Sequence, residues 1–165
     1  MATKQENTAL IEHLLKTIGM LVVNAAVCDL ILFSTFKVIS GCESKIASAI
    51  YFSSETLNAK TKFIRRILDA NKDQTEKTIV GHIVDATENA QKPRNELSHA
   101  NVQVSPDGKK LLRLNARHQA QPGTQITGPY LSGLLKRSTQ AHIAALRAYQ
   151  ELCQKRGIPP VVSHE

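Results

Sequence analysis

The stretch "IGMLVVNAAVCDLILFSTF", residues 18–36, decides the fold class. Apolar residues recur through and before it at three- and four-residue steps, which predicts one long helix from about Thr8 to about Ile39. The stretch is nearly long enough to span a bilayer. Asn24 and Asp29 interrupt it, and an Asp deep in a bilayer costs roughly 2.5–3.5 kcal/mol. We therefore expect the central helix of a soluble bundle, with a membrane-anchored bundle as the alternative.

Three more helical stretches follow. They run from near Glu43 to Leu68, from near Thr75 past Ala90, and from Gly128-Pro129 to "KRGIPP" at 155–160. The second is expected to leave Lys60 outside and to bury a stripe made of Ile46, Ile50, Ser53, Leu57, Thr61, Ile64 and Leu68. Trp is absent and aromatics are 4% of the chain, so the core must be mainly aliphatic, which favours helices over sheets.

Residues 102–127, between the third and fourth predicted helices, differ from the rest of the chain. The tripeptide Pro-Asp-Gly is flanked there by the short alternating runs "VQV" and "LLRL", which predicts a β-hairpin or ordered loop. We therefore expect an all-α, up-down four-helix bundle with a short β-hairpin or ordered loop between helices 3 and 4. One domain would cover residues 1–165, with its core at about 8–156.

The net charge of +7 belongs entirely to the second half of the chain. Residues 1–91 hold ten Lys/Arg and ten Asp/Glu, whereas residues 92–165 hold eleven Lys/Arg and four acids. Clustered cations gain affinity for polyanions by releasing counterions from phosphates, so a polyanionic partner is expected, with solubility alone as the alternative. The residues predicted to bind the backbone of that partner are Lys109, Lys110, Arg113 and Arg117.

Cysteines and known motifs restrict the classes of enzyme. Cys28, Cys42 and Cys153 are far apart and odd in number, which indicates reduced intracellular thiols. The first residues lack the layout of a signal peptide, so a cytoplasmic location is expected. No phosphate-binding glycine loop and no zinc-binding pattern is present, so we expect no metal and no cofactor.

The segment "QKPRNELSHANVQV", residues 91–104, contains the main candidate site. Asn95 and His99 are four residues apart and share a helix face. Arg94 lies about 140° around the helix from His99. Either the long arginine wraps around the helix, or two copies of the segment meet across a two-fold axis. An ordinary solvated helix end is the alternative. His118 and His142 are weaker candidates.

The motif "RNELSHA", near the end of the third predicted helix, resembles that of the HEPN superfamily. HEPN domains are four-helix bundles that carry an Arg, a polar residue that is often Asn, a few more residues and then a His. The sequence-specific part of the resemblance is Arg94, Asn95 and His99. It implies a homodimer in which two copies of the motif meet in a basic cleft and cleave RNA without a metal ion.

The residue types fit the chemistry that the resemblance implies. A histidine can move the protons when the RNA 2′-hydroxyl attacks phosphorus, which makes His99 catalytic. Arg94 would hold the phosphate oxygens, and Asn95 would orient either group by hydrogen bonding. The product should carry a 2′,3′-cyclic phosphate, and DNA should be spared because it lacks the nucleophile.

Two further expectations come from the family. Some HEPN toxins have a Tyr two residues after the His, where a partner enzyme modifies them; this chain has Asn101, so that regulation is not expected. An antitoxin or other regulatory protein is a common partner. Several HEPN domains serve only for binding, so the alternative function is a non-catalytic helical module for a nucleotide, RNA or protein.

Overall fold

A computed structural model describes residues 4–105, 110–114 and 123–159 of the chain. Within these residues the protein is mostly helical, as predicted, with five helices and three short strands. The helices are α1 (Lys4–Ser40), α2 (Ser44–Phe52), α3 (Leu57–Ala70), α4 (Gln74–Ser98) and α5 (Gly128–Arg156). The strands are β1 (Asn101–Val104), β2 (Leu111–Leu114) and β3 (Thr124–Ile126).

The long first helix is confirmed. Its three- and four-residue pattern is buried as predicted, with Leu14, Leu21 and Leu32 among the buried residues. α1 ends before Gly41, which has φ +64° and donates its N–H to the Lys37 carbonyl at 3.2 Å. Glycine adopts this left-handed conformation without steric cost, so it terminates the helix.

Asn24 and Asp29, which interrupt the apolar stretch of α1, both have partners. Asn24 Nδ2 donates to Ser138 Oγ at 3.3 Å. Asp29 accepts from the Tyr51 hydroxyl at 2.8 Å and from Lys60 Nζ at 2.8 Å. In the described part of the chain, α1 is the one helix long and apolar enough to cross a membrane, a property shared by core helices of soluble proteins. The cytoplasmic location stays a prediction.

The predicted second helix is divided into α2 and α3 by "SSET", residues 53–56. The Ser53 hydroxyl donates to the Ile50 carbonyl at 2.7 Å. Thr56 Oγ1 accepts from the Ala59 N–H at 3.2 Å and so caps the start of α3. Short polar side chains that bond to nearby backbone compete with the helix, which explains a break that periodicity alone does not reveal.

The break changes which residues of α2 are buried. The predicted stripe was wrong there, because Ile46 is 53% exposed and Ile50 is also exposed, while Ala47 and Tyr51 are buried. Lys60 was expected outside but is only 9% exposed. In α3 the predicted stripe is buried at Thr61, Ile64 and Leu68.

Helix α4 follows the predicted third helix and continues beyond it. Its buried stripe contains the expected residues Ile79, Ile83, Ala86 and Ala90. Pro93 lies inside α4, so it does not begin a new helix. Beyond it, Leu97 is buried and Arg94 is half-buried. The last turn of α4 therefore still packs on a core through Leu97.

The predicted hairpin is present and has a third strand added to it. β1 pairs antiparallel with β2, from Asn101 opposite Leu114 to Val104 opposite Leu111. β2 also pairs antiparallel with β3, with Leu111 opposite Ile126. Leu111 and Ile126 are both buried. Apolar residues at one paired position therefore attach this small sheet to a core.

Helix α5 ends where the glycine and prolines of "KRGIPP" predicted. Gly157 has φ +63°. Its N–H donates to the Gln154 carbonyl at 3.2 Å, and the Ile158 N–H donates to the Cys153 carbonyl at 2.9 Å. These two bonds satisfy carbonyls that the end of a helix would otherwise leave open.

The chain forms two compact units, each described here by itself. Met1–Ala25 and Ala90–Thr139 form one, called the sheet unit because it contains the three strands. Ala26–Asn89 and Gln140–Glu165 form the other, called the aromatic unit. Three helices, α1, α4 and α5, contribute residues to both. The single domain over 1–165 stays a prediction.

Each unit has its own buried residues. The core of the sheet unit comprises Leu14, Leu21, Leu97, Leu111, Ile126, Leu131 and Leu134. The aromatic unit holds a cluster of rings with centroids 5.0–5.9 Å apart, formed by Phe33, Phe36, Tyr51, Phe52 and Phe63. Although aromatics are few in this chain, most of them are therefore concentrated in one place.

Candidate functional site

The predicted trio lies at the end of α4, in the sheet unit. The helix ends at Ser98, and the His99 N–H donates to the Asn95 carbonyl at 3.4 Å, so the last turn extends to His99. Asn95 and His99 are exposed, and Arg94 is half-buried. β1 begins shortly afterwards at Asn101. Leu97, inside this turn, packs in the core of the sheet unit, and β1 follows the turn two residues after His99.

Arg94 is hydrogen-bonded to the residue that follows it in α4. Its Nη1 donates to Asn95 Oδ1 at 3.0 Å. Asn95 shares a helix face with His99, because the two are four residues apart. The contact therefore links the guanidinium to a residue on the helix face of His99. Both geometries that the sequence left open, a wrapped arginine and two copies that meet, stay predictions.

The imidazole of His99 forms no hydrogen bond or ion pair within residues 4–105, 110–114 and 123–159. Catalytic histidines are usually oriented by a hydrogen bond to one ring nitrogen. No described residue of the same chain supplies such a bond to His99.

Glu96 lies inside the motif and binds side chains from two other elements. Its Oε1 accepts from the Tyr130 hydroxyl at 2.7 Å, and its Oε2 accepts from Arg137 Nη2 at 3.4 Å, both on α5. Arg113 Nη1 on β2 lies 3.8 Å from Oε1. Glu96 is three residues before His99 and so shares a face of the last turn with it. One carboxylate thus links α4, β2 and α5.

The hydrogen bond to Glu96 also affects Tyr130. Burial, then the hydrogen bond to Glu96 and its negative charge, raise the pKa of the Tyr130 phenol to about 12. Each cause favours the neutral phenol over the phenolate. Tyr130 therefore remains a hydrogen-bond donor to Glu96 throughout the physiological pH range.

Two of the four predicted RNA-binding residues fall within the described chain. Lys110 is exposed, and its backbone bonds to Ser105 through Lys110 N–H to Oγ at 3.0 Å and Ser105 N–H to the Lys110 carbonyl at 2.8 Å. Arg113 is half-buried against Glu96. Lys109 and Arg117 lie outside the described residues. Lys110 thus lies on the surface, whereas the Arg113 side chain contacts Glu96 within the protein.

Sequence reasoning missed Glu96, Tyr130 and Arg137. Glu96 stands inside "RNELSHA" and is one of only four acids in residues 92–165, which is a signal that could have identified it. Its partners could not be identified in the same way, because Tyr130 and Arg137 are 34 and 41 residues away in sequence. Periodicity gives the face of a helix and not the residues that approach it from elsewhere.

Among the described residues, His82 and His142 form no hydrogen bond or ion pair that would make a second catalytic set. His142 is half-buried in the aromatic unit, and His118 lies outside the described residues. His82 is exposed, and the nearby Asp85 accepts from Arg65 Nη2 at 2.9 Å. Among the described residues no three His, Cys, Asp or Glu side chains group as metal ligands. Metal independence stays a prediction.

All three cysteines are free thiols of the aromatic unit. Cys28 and Cys153 are buried, and burial raises the pKa of the Cys28 thiol to about 11. A thiol of high pKa holds little thiolate at neutral pH and is a poor nucleophile. Cys28 is therefore a core residue of this unit.

A concave surface also lies along α1 in the sheet unit, away from the trio in sequence. It has a volume of about 630 Å³, and Glu12, His13, Lys16, Thr17 and Leu135 are among its lining residues. The Thr17 hydroxyl is buried and has no hydrogen-bond partner in the described part of the chain. None of the predicted site residues lines this groove, so it does not contribute to the chemistry derived below.

The chain was compared with protein-family models, curated proteins and solved structures, and no match was found in any of the three.

Proposed function

We propose that this protein is a metal-independent endoribonuclease of the HEPN type that acts as a homodimer. In this proposal α1, the pair α2 and α3, α4 and α5 correspond to the four helices of the HEPN bundle. The observation that supports the proposal most directly is the 3.0 Å hydrogen bond from Arg94 Nη1 to Asn95 Oδ1, which links the guanidinium to a residue four positions before His99. A cation for phosphate and a group for proton transfer then belong to one exposed helix turn.

The reaction follows from these groups. His99 takes the proton of the RNA 2′-hydroxyl while that oxygen bonds to phosphorus, and His99 of the second copy gives a proton to the departing 5′-oxygen. The bond from phosphorus to the 5′-oxygen breaks, which leaves a 2′,3′-cyclic phosphate and a 5′-hydroxyl. Arg94 stabilises the charge on the phosphate oxygens, and Asn95 holds the guanidinium in place.

The surroundings of the trio support a polyanionic substrate. The predicted RNA-binding residues follow it in the chain, and Lys110, the residue before β2, is exposed. Each cation that contacts a phosphate releases counterions, so binding should weaken as salt is added. A cytoplasmic location and an antitoxin or other regulatory partner belong to the same proposal.

A non-catalytic module that binds RNA, a nucleotide or a protein is the second candidate. The unpartnered imidazole of His99 favours it, because nothing in the described chain fixes a ring nitrogen for proton transfer. In such a module Arg94 would still bind phosphate, and His99 would only line the surface.

The test is cleavage of mixed RNAs in the presence of a chelator by the wild-type protein and by His99→Ala and Arg94→Ala variants. We expect cleavage by the wild type, products that end in a 2′,3′-cyclic phosphate, and a loss of at least about 100-fold in both variants. His82→Ala and Arg66→Ala are the matched controls, since both residues are exposed and lie outside the sheet unit.

Equal cleavage by all five proteins would indicate a contaminating nuclease and would refute the proposal. RNA binding without cleavage in the wild type would favour the non-catalytic module. A substrate with a single 2′-deoxy nucleotide at the cleaved position should resist the enzyme, because it lacks the attacking hydroxyl.

A further inference from the structure

Arg137 was not among the residues that the sequence predicted to bind RNA. Its Nη2 lies 3.4 Å from Glu96 Oε2, and 62% of its side chain remains exposed. A guanidinium has five N–H donors in a fixed planar fork. One contact with Glu96 therefore leaves most of the donors of Arg137 directed to solvent, where an anion can reach them.

Arg113, which the sequence did predict, is placed less favourably for a ligand. Its side chain is 27% exposed, and its Nη1 contacts both the carboxylate and, at 3.5 Å, the backbone carbonyl of Glu96. Its Nε is buried without a hydrogen-bond partner in the described part of the chain. Glu96, Arg113, Tyr130 and Arg137 form a cluster of contacting side chains, called the Glu96 cluster. Arg113 packs inside the Glu96 cluster, while Arg137 lies at its surface.

The Glu96 cluster lies in a part of the chain, residues 92–139, that has a net positive charge. Residues 92–139 contain eight Lys/Arg and two acids, Glu96 and Asp107. Glu96 is opposite two arginines, so the group keeps a net positive charge after the ion pairs are counted. A carboxylate with two cations of this kind fixes their positions without cancelling their attraction for phosphate.

We propose that Arg137 is a phosphate-binding residue of the RNA surface and that Glu96 is the residue that positions it. The inference rests on the proposed function of the same site. Glu96 and His99 share a face of the last turn of α4, so a phosphate held by Arg137 would belong to the RNA strand that passes His99. α5 thereby contributes to recognition of a substrate whose chemistry takes place on α4.

The first test measures the affinity of a labelled 2′-O-methyl oligoribonucleotide, which lacks the nucleophile and cannot be cleaved. Arg137→Gln should weaken binding by about tenfold and lower the slope of log affinity against log salt by about 0.7. Lys136→Gln is the matched control, because Lys136 is the preceding residue, is exposed and carries the same charge. It should change affinity less than twofold.

The second test measures whether Glu96→Gln strengthens or weakens binding of the same oligoribonucleotide. If the carboxylate acted only through its charge, its removal would strengthen RNA binding, because one negative charge is lost. If it positions Arg137, affinity falls, and the double variant with Arg137→Gln binds no more weakly than Arg137→Gln alone.

The outcomes separate the two proposals. Tighter binding by Glu96→Gln, or equal losses from Arg137→Gln and Lys136→Gln, would overturn this inference while cleavage dependent on His99 still supports the nuclease. A wild-type protein that neither binds nor cleaves RNA would overturn both. Arg137 is exposed, so its variant should fold, and thermal melting with unchanged Tm verifies this.

Discussion

Lys60 in the aromatic unit and Arg94 in the sheet unit are both cations on helices, but their surroundings differ. Lys60 Nζ lies 2.8 Å from Asp29 Oδ2 and over the Tyr51 ring at 4.6 Å from its centroid. The Arg94 guanidinium has a neutral amide, that of Asn95, as its hydrogen-bond partner. Among the described residues, the Lys60 ammonium is paired with a carboxylate, whereas the Arg94 guanidinium is not.

The same contrast extends to the acids of the two units. Glu76 in the aromatic unit is buried and accepts from Arg156 Nε and Nη2 at 2.6 and 2.7 Å. Glu96 in the sheet unit is half-buried and adjoins the exposed Arg137. We expect an ion pair with a buried acid, such as that of Glu76, to contribute mainly to stability. An ion pair with an exposed arginine, such as that of Arg137, should contribute mainly to ligand binding. Substitutions in the two units should therefore affect different measurements.

The largest expected effect on stability is that of Glu76→Ala. The substitution removes both hydrogen bonds from Arg156, the bond from Asn71 Nδ2 at 2.7 Å, and the acid in the first turn of α4. Because Arg156 is 41% exposed and regains water, we expect a loss of about 2–3 kcal/mol in the free energy of unfolding. Denaturant unfolding at neutral pH measures it.

The control for this substitution is Glu88→Ala, at an acid whose side chain is 40% exposed and lies 3.6 Å from Arg65. It should change the unfolding free energy by less than about 0.5 kcal/mol. Neither variant should alter the rate of RNA cleavage per folded molecule. A large loss of cleavage in Glu76→Ala at a temperature where it is fully folded would refute the division of roles.

Lys60→Met should have a smaller effect on stability. Methionine keeps an apolar chain against the rings of Tyr51 and Phe52 but removes the ammonium, which leaves Asp29 with the Tyr51 hydroxyl as its main partner. Asp29 is 30% exposed and can be solvated, so we expect a loss of about 1 kcal/mol. Lys62→Met, at an exposed position of the same helix, should be neutral; equal effects would contradict the role of Lys60.

Much of the fold was predictable because its decisive features are local. Burial of Leu14, Leu21 and Leu32 follows from spacing alone, and Gly41 and Gly157 end their helices through a conformation that glycine adopts easily. The division between α2 and α3 is also local, but its signal is different. The hydroxyl groups of "SSET" offer alternative backbone bonds while the apolar spacing continues past them.

Features that depend on distant residues were not predictable. Lys60 is buried because Asp29, 31 residues earlier, accepts its hydrogen bonds. Similarly, β3 is only three residues long and exists through its pairing with β2. For the candidate site, the sequence indicated Arg94, Asn95 and His99, but it did not indicate the contact of Glu96 with Arg137, which lies 41 residues away in sequence.

The pH dependence of stability should report the bond between Tyr130 and Glu96. The pKa of Tyr130 is raised to about 12 in the folded protein, above the ordinary value of 10.0, so folding favours the neutral phenol. Its contribution to stability is complete below about pH 10 and is lost as the pH rises to about 12. Glu96→Gln should lower that pKa, as measured by tyrosinate absorbance relative to Tyr130→Phe. An unchanged titration would mean that burial alone sets the pKa.

The smallest effect is expected for Arg65→Ala, which tests whether exposure rather than location in a unit decides the role of a charge. Arg65 Nη2 lies 2.9 Å from Asp85 and 3.6 Å from Glu88, but all three side chains are at least 40% exposed. Water screens such pairs and ordering the side chains costs entropy, so we expect a loss of about 0.3 kcal/mol in unfolding free energy that disappears at 1 M salt. A loss comparable to that of Glu76→Ala would show that exposed pairs in the aromatic unit also stabilise it, and that burial does not separate structural charges from those available to a ligand.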